Sequence, residues 1–252
     1  MAALVTRRIT GLLSPFCRAL GSSSLADDLQ HNMHRKSTWD RFYVENNQSS
    51  RFRHFDWFFS YKHVAGFLQR FLQREADSGM CYILDVGCGT SDLGLGLYRD
   101  STHPVHVCCV DFSPVAIRSM KEHFAATAPA PLNPGSELHF READATDLAH
   151  VGSHTFHLVL DKGTTDALLR GTDGAERANK MLAECLRVLR PGGILLQFSD
   201  EDPDARMPQL EQPSAEGGQP CVQVQDLGVV GGIQYYAYIL SAMPKSERLP
   251  TP

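Results

Sequence analysis

CYILDVGCGT, residues 81–90, is the stretch whose reading decides the fold. An apolar run of strand length closes on Gly87, and Gly87 and Gly89 let the chain turn tightly and bring backbone close to a ligand. SDLGLGLYR (91–99) reads as the helix that follows, and VHVCCVD (105–111) as a second strand. Ser113-Pro114 caps and opens the next helix, which runs to about Phe124. Beyond the Pro-rich loop AATAPAPLNPGSE, ELHFREAD gives a third strand and FHLVLDKG (156–163) a fourth. A long helix ending MLAECLRVLR is expected to stop at Pro191-Gly192-Gly193, and ILLQFSD is a fifth strand. Past a polar insert (201–220) too short and Pro-rich for a full crossover helix, VQVQDLG and IQYYAYIL alternate like a hairpin. Upstream, Val64, Phe67, Leu68, Phe71 and Leu72 form the apolar stripe of a helix preceded by the aromatic segment FDWFFSY. These units predict an α/β fold, a doubly wound and mostly parallel seven-stranded sheet with an antiparallel C-terminal hairpin.

In such sheets ligands sit beyond the carboxyl ends of the central strands, and four of those ends carry an acid. Asp85 can accept from a ligand amine, Asp111 can take both ribose hydroxyls of an adenosine, and Asp144 can meet the adenine amino group. Asp161 stands at the mouth of the fourth strand. Any one of these acids could be an ordinary loop cap; four in phase point to a ligand site. The dehydrogenase fingerprint G-x-G-x-x-G fits poorly, because Asp92 replaces the third glycine and Asp85 would face two phosphates.

The chain of 252 residues is 42% hydrophobic, enough for one sizeable core, and its formal charge of -5 gives no basic surface for nucleic acid. The cysteines (17, 81, 88, 108, 109, 185, 221) contain no C-x-x-C pair, which suits free thiols, and no metal site is expected. His154 and His157 read as polar loop residues.

DVGCGT, CCVD, READA, LDKGT and LRPGG resemble, in order and spacing, the successive motifs of class I S-adenosylmethionine methyltransferases over about residues 55–240. LDKGTTDAL is similar to the signature of protein-lysine methyltransferases related to those acting on elongation factors. With FDWFFSY, FSDEDPD and the N-terminus, the chain resembles the branch that methylates a lysine of citrate synthase in mitochondria. The resemblance implies S-adenosyl-L-methionine as cofactor, held at Asp85, Gly87, Gly89, Thr90, Asp111, Phe112, Asp144, Ala145 and Asp161. It implies citrate synthase as the protein partner.

Acceptor-side candidates are Trp57, Phe58, Tyr61, Lys162, Asp202 and Asp204, with Asp161, Trp57 and Tyr61 as candidate catalytic groups. Aromatic faces can desolvate and hold a lysine, although FDWFFSY also reads as a hydrophobic lid. The acidic run Asp200–Asp204 could steer a basic surface or be simply solvated. Residue physics alone leaves a small-molecule acceptor, such as a quinone precursor, or a non-catalytic adenosine-binding module open.

Residues 1–26 carry Arg7, Arg8 and Arg18 and no acid, with Val5, Ile9, Leu12, Leu13, Phe16 and Leu20 on one helical face. A mitochondrial transit peptide, cleaved between about residues 18 and 30 for a matrix location, is expected there. The remaining divisions are a polar extension at 27–54, a methyltransferase domain at 55–243 and a tail at 244–252. No run reaches the length of a membrane span.

Overall fold

The computed structural model describes residues 23–47, 52, 54–74, 79–211 and 220–241. Helices α1 (Ser23–Asn32), α2 (Lys36–Asn47) and α3 (Tyr61–Arg74) precede the sheet. Then follow β1 (Cys81–Val86), α4 (Leu93–Asp100), β2 (Val105–Asp111), α5 (Pro114–Thr127), β3 (Glu137–Glu142) and β4 (Phe156–Lys162). The chain continues through α6 (Thr164–Leu168), α7 (Gly174–Val188), β5 (Leu189–Ser199), α8 (Pro203–Leu210), β6 (Cys221–Val230) and β7 (Ile233–Ser241). Strand order is β3-β2-β1-β4-β5-β7-β6 in one seven-stranded sheet. Pairs among β1 to β5 are parallel, and β7 runs antiparallel to β5 and β6. This is the doubly wound architecture expected, with the antiparallel hairpin turning at Gly231-Gly232, both at positive φ.

The central strands read as near-continuous apolar runs because both faces are covered. One core joins Ile83, Val107 and Leu160 to α3, α4 and α5 through Leu68, Leu97 and Met120. The other joins Leu84, Val110 and Val159 to α6 and α7 through Leu168, Met181 and Cys185. Order reverses between β1 and β4, which opens a crevice at their carboxyl ends.

Two local features differ from expectation. The long helix ends at Val188, before the Pro-Gly-Gly. Leu189 is already extended and pairs with Phe156, and Pro191-Gly192-Gly193 fills an irregularity before Leu158 pairs with Ile194. Residues 27–54, read as a polar extension, hold most of α1 and all of α2. Leu25, Leu29, Phe42 and Tyr43 of these helices pack with Phe55 and with Ala116 of α5. Of the expected transit peptide, only 23–26 lie within the described residues, as the start of α1. Among the described residues no helix is long and apolar enough to cross a membrane.

Candidate active site

At the crevice lies a cavity. Its floor is the loop after β1. Gly87 (φ +63) and Gly89 (φ +51) are both left-handed, where a side chain is strained. A Cβ on Gly87 would run into the Thr164 side chain, whose hydroxyl donates to the Val86 carbonyl (3.0 Å). A Cβ on Gly89 would stand 2.5 Å from the Tyr43 hydroxyl. The loop is therefore pressed between α6 and α2, and its missing side chains are what let the three meet.

Two buried acids face the cavity. Asp85 is 2% exposed at the end of β1, and its carboxyl is raised to about 7 by burial, with the Lys162 ammonium acting in the opposite direction. A cationic amine in the cavity would return it to the ionised form. Asp111 accepts from the Gly89 N–H (2.9 Å) through one oxygen and from the Ser113 N–H (2.8 Å) through the other. Burial raises it to about 6 against those two hydrogen bonds. Each oxygen keeps a lone pair for a ligand hydroxyl. Asp144 is locked by Thr146, which donates its N–H (2.9 Å) and hydroxyl (2.8 Å), and presents its edge to the cavity beside Ala145 and Phe112.

The remaining wall is aromatic. Trp39 stacks on Tyr43 (5.8 Å) and meets Trp57 edge-on (5.9 Å), while Phe55 packs against Trp57. The Trp39 indole N–H donates to the Met33 carbonyl (2.6 Å), which fixes the ring. Arg177 of α7 donates to the His34 carbonyl (3.0 Å) across the rim, tying the N-terminal helices to the body.

Of the positions singled out in the sequence, Asp85, Gly87, Gly89, Asp111, Phe112, Asp144, Ala145, Trp57 and Lys162 border the cavity. Thr90, Phe58, Tyr61, Asp161, Asp202 and Asp204 lie outside its lining. Asp161 is fully buried, accepting from the Thr164 and Thr165 N–H groups, the Thr165 hydroxyl (2.6 Å) and the Gln197 amide (2.9 Å), so its carboxylate holds the turn into α6. Thr90 is buried beneath the loop, its carbonyl accepting from Phe55 and His54. Phe58 packs on Tyr235, and Tyr61 lies under Gly96 in the first core. Asp202 is the N-cap of α8, accepting from the Asp204 N–H (2.9 Å), and both are exposed.

Lys162 borders the cavity, yet its ammonium is engaged. It donates to Asp56 Oδ1 (3.1 Å), the Trp57 carbonyl (2.8 Å) and the Phe59 carbonyl (3.0 Å), with its side chain only 5% exposed. Asp56 also accepts from the Ser91 hydroxyl (2.6 Å), which joins the aromatic segment to the glycine loop. Between the two carbonyls, Phe58 sits at φ 72, bridged by a Phe59 N–H to Trp57 carbonyl bond (3.0 Å). That tight turn is strained for a residue with a Cβ. Lys162 is its clamp.

Sequence reasoning missed Trp39, Tyr43 and Phe55. The spacing of Trp39, Phe42 and Tyr43 (i, i+3, i+4) was the available signal, diluted by the polar residues between them.

The sheet order and the acids at the ends of β1 and β2 define a class I methyltransferase, and the comparisons agree. A methyltransferase-domain family model matches residues 77–234. The mitochondrial citrate synthase-lysine N-methyltransferase of Danio rerio is 45% identical over 230 residues, 89% of this chain and 89% of its own. That of Homo sapiens is 46% identical over 235 residues, 91% of this chain and 92% of its own. Among solved structures, the [4+2]-cyclase SpnF superposes with a TM-score of 0.55 at 16% identity, over 83% of this chain and 94% of its own, a likeness of fold alone. The chain belongs to the methyltransferase family and groups with lysine N-methyltransferases, so it is an enzyme whose methyl donor is S-adenosyl-L-methionine. The residues present fit that donor: the buried Asp85 carboxyl can pair with its ammonium, the Asp111 carboxyl has free lone pairs for its ribose, and the left-handed glycine loop brings backbone to the cavity.

Proposed function

We propose that this enzyme methylates a lysine side chain of citrate synthase in the mitochondrial matrix. The observation that carries the proposal is the 45–46% identity, along about nine-tenths of the chain, to relatives named for that substrate and as mitochondrial. Asp85 would hold the donor's amino group, Asp111 its ribose and Asp144 its adenine edge, while Gly87 and Gly89 admit its backbone contacts. The bound donor supplies an electrophilic methyl on a sulfonium.

The chain's own residues must present a neutral amine to it. A lysine with a reference pKa of ~10.4 at about pH 8 carries a deprotonation cost of ~3 kcal/mol. Trp39, Tyr43, Phe55 and Trp57 supply an apolar wall that excludes water and lowers that cost. No carboxylate base is required, which agrees with Asp161 being consumed by the α6 turn. In this reading Trp57 acts at the acceptor, while Lys162 and Tyr61 support the site from behind. The acidic N-terminus of α8 would act on encounter with a basic protein surface rather than on the displacement.

The test is incubation of the purified enzyme with methyl-labelled donor and intact citrate synthase, followed by mass spectrometry. A methylated lysine is expected. Label in a lipid fraction of mitochondrial extract with unlabelled citrate synthase would instead favour a small-molecule acceptor, and no transfer at all a binding module.

A further inference from the structure

In the half of the sheet farthest from the hairpin, one face is covered by helices and the other only in part, by a loop near the carboxyl ends of the strands. Residues 143–155, which carry the chain from β3 to β4, form turns and no helix. On the face left open, β2 and β3 register His106 beside Glu137 and Cys108 beside His139, so His106, Glu137 and His139 project together. Tyr82 of β1, registered with His106 and 39% exposed, extends the row.

The three side chains converge on one point. His106 Nδ1 is 3.1 Å and His139 Nε2 3.2 Å from the same oxygen, Glu137 Oε2. One ligand atom from each residue lies within 4.8 Å of the others. A tetrahedral ion with bonds of about 2.0–2.1 Å spaces its ligands roughly 3.3 Å apart. Both nitrogen–oxygen separations already match, and the two nitrogens lie within 4.8 Å of each other. Two imidazoles and one carboxylate form a borderline donor set that favours zinc-class divalent ions over magnesium or calcium. Partial exposure (27%, 56% and 43% of the three side chains) leaves the fourth position to water.

We propose that His106, Glu137 and His139 form a zinc-class metal site, separate from the methyl-transfer cavity. His106 stands near the start of β2, whereas Asp111 of the cavity ends it, five residues and about 16 Å along the strand. The ion would clip the edge strand β3 to β2 and stabilise the folded chain by mass action. It takes no part in methyl transfer.

The experiment is zinc titration of the untagged full chain, by calorimetry and by thermal unfolding, against the His106→Gln/His139→Gln double variant and Glu137→Gln. All substitutions are at partly exposed positions, and circular dichroism verifies that the variants fold. One zinc equivalent is expected in the wild type and lost in the double variant, with Glu137→Gln binding about ten-fold or more weakly. Zinc should raise the melting temperature of the wild type most, of Glu137→Gln less and of the double variant not at all, and donor affinity should be the same in all three proteins. Equal zinc stoichiometry and equal thermal response in wild type and double variant would overturn the site. So would a wild type that binds no zinc, or one that magnesium stabilises equally.

Discussion

Replacing Lys162 with methionine separates a clamp from a substrate contact. The methylene stem keeps its packing, but Asp56 loses its cation and the Trp57 and Phe59 carbonyls lose their donor. Asp56 is only 16% exposed, so its charge is left nearly buried with the Ser91 hydroxyl and Asp92 N–H as remaining donors. Removing one partner of a buried pair costs about 3–5 kcal/mol. The strain at Phe58, on the order of 1–3 kcal/mol, is then opposed only by packing. For a domain of this size the pair loss alone corresponds to a fall in melting temperature of roughly 6–20 °C. The assay is urea unfolding of wild type, Lys162→Met and Lys162→Arg, with donor affinity measured at a temperature where all are folded. Methionine should be far less stable than wild type, with arginine between them. A methionine variant within about 0.5 kcal/mol of wild type, but with a raised Michaelis constant for the acceptor, would refute the clamp and return Lys162 to the substrate.

Asp85 makes donor binding pH-dependent: below about 7 its carboxyl is protonated and cannot pair with an ammonium, so affinity should fall about ten-fold per pH unit on acidification. Asp85→Asn should flatten that profile in calorimetry; a profile unchanged by the substitution would remove Asp85 from the amine. The same shift has the opposite sign for the ligand-free fold. A carboxyl raised above its unfolded value of ~3.9 stabilises at low pH, and that contribution is lost as pH rises through about 7. Gly89→Ala should lose stability and donor affinity together, because the new methyl meets both a left-handed backbone and the Tyr43 hydroxyl. Adding Tyr43→Phe should recover part of the loss, and a strictly additive double-mutant cycle would disprove the contact. Arg206 is 2% exposed and donates to Asp166 and to the Ser199 hydroxyl (2.9 Å), so Arg206→Ala should destabilise by about 3–5 kcal/mol, while an unchanged urea midpoint would show that network to be inert.

The sheet was legible because buried parallel strands are apolar runs stopped by glycine, as in CYILDVG and VHVCCVD. The acids at the ends of β1 and β2 were legible for the same reason: strand ends are fixed by the pattern. Direction was not. Asp161 and Lys162 are adjacent at the end of β4, and nothing in their identity says that the acid turns inward to cap α6 or that the lysine is taken by backbone carbonyls. The N-cap of α6 is Gly163, which has no side chain to cap with, and Asp161 accepts the first N–H groups in its place. The helix KSTWDRFYVENN was missed because only Thr38, Phe42, Tyr43 and Asn46 are buried in it, too few apolar positions to show a period. What orders it is contact with distant chain, from Asn47 to Ser119 and from His34 to Arg177.

The first helix carries a consequence for maturation. Leu25 and Leu29 are 2% and 1% exposed, and they pack in the cluster that holds Tyr43 against the glycine loop. A protease cut upstream of residue 23 leaves that cluster whole. A cut after Leu29 strips two buried leucines, about 1.5–3 kcal/mol each, from beneath the helix whose tyrosine touches Gly89. If the chain is cut within the proposed window of about residues 18–30, a terminus upstream of Leu25 keeps the packing beneath Tyr43, whereas one beyond Leu29 weakens the wall against the glycine loop and with it donor affinity.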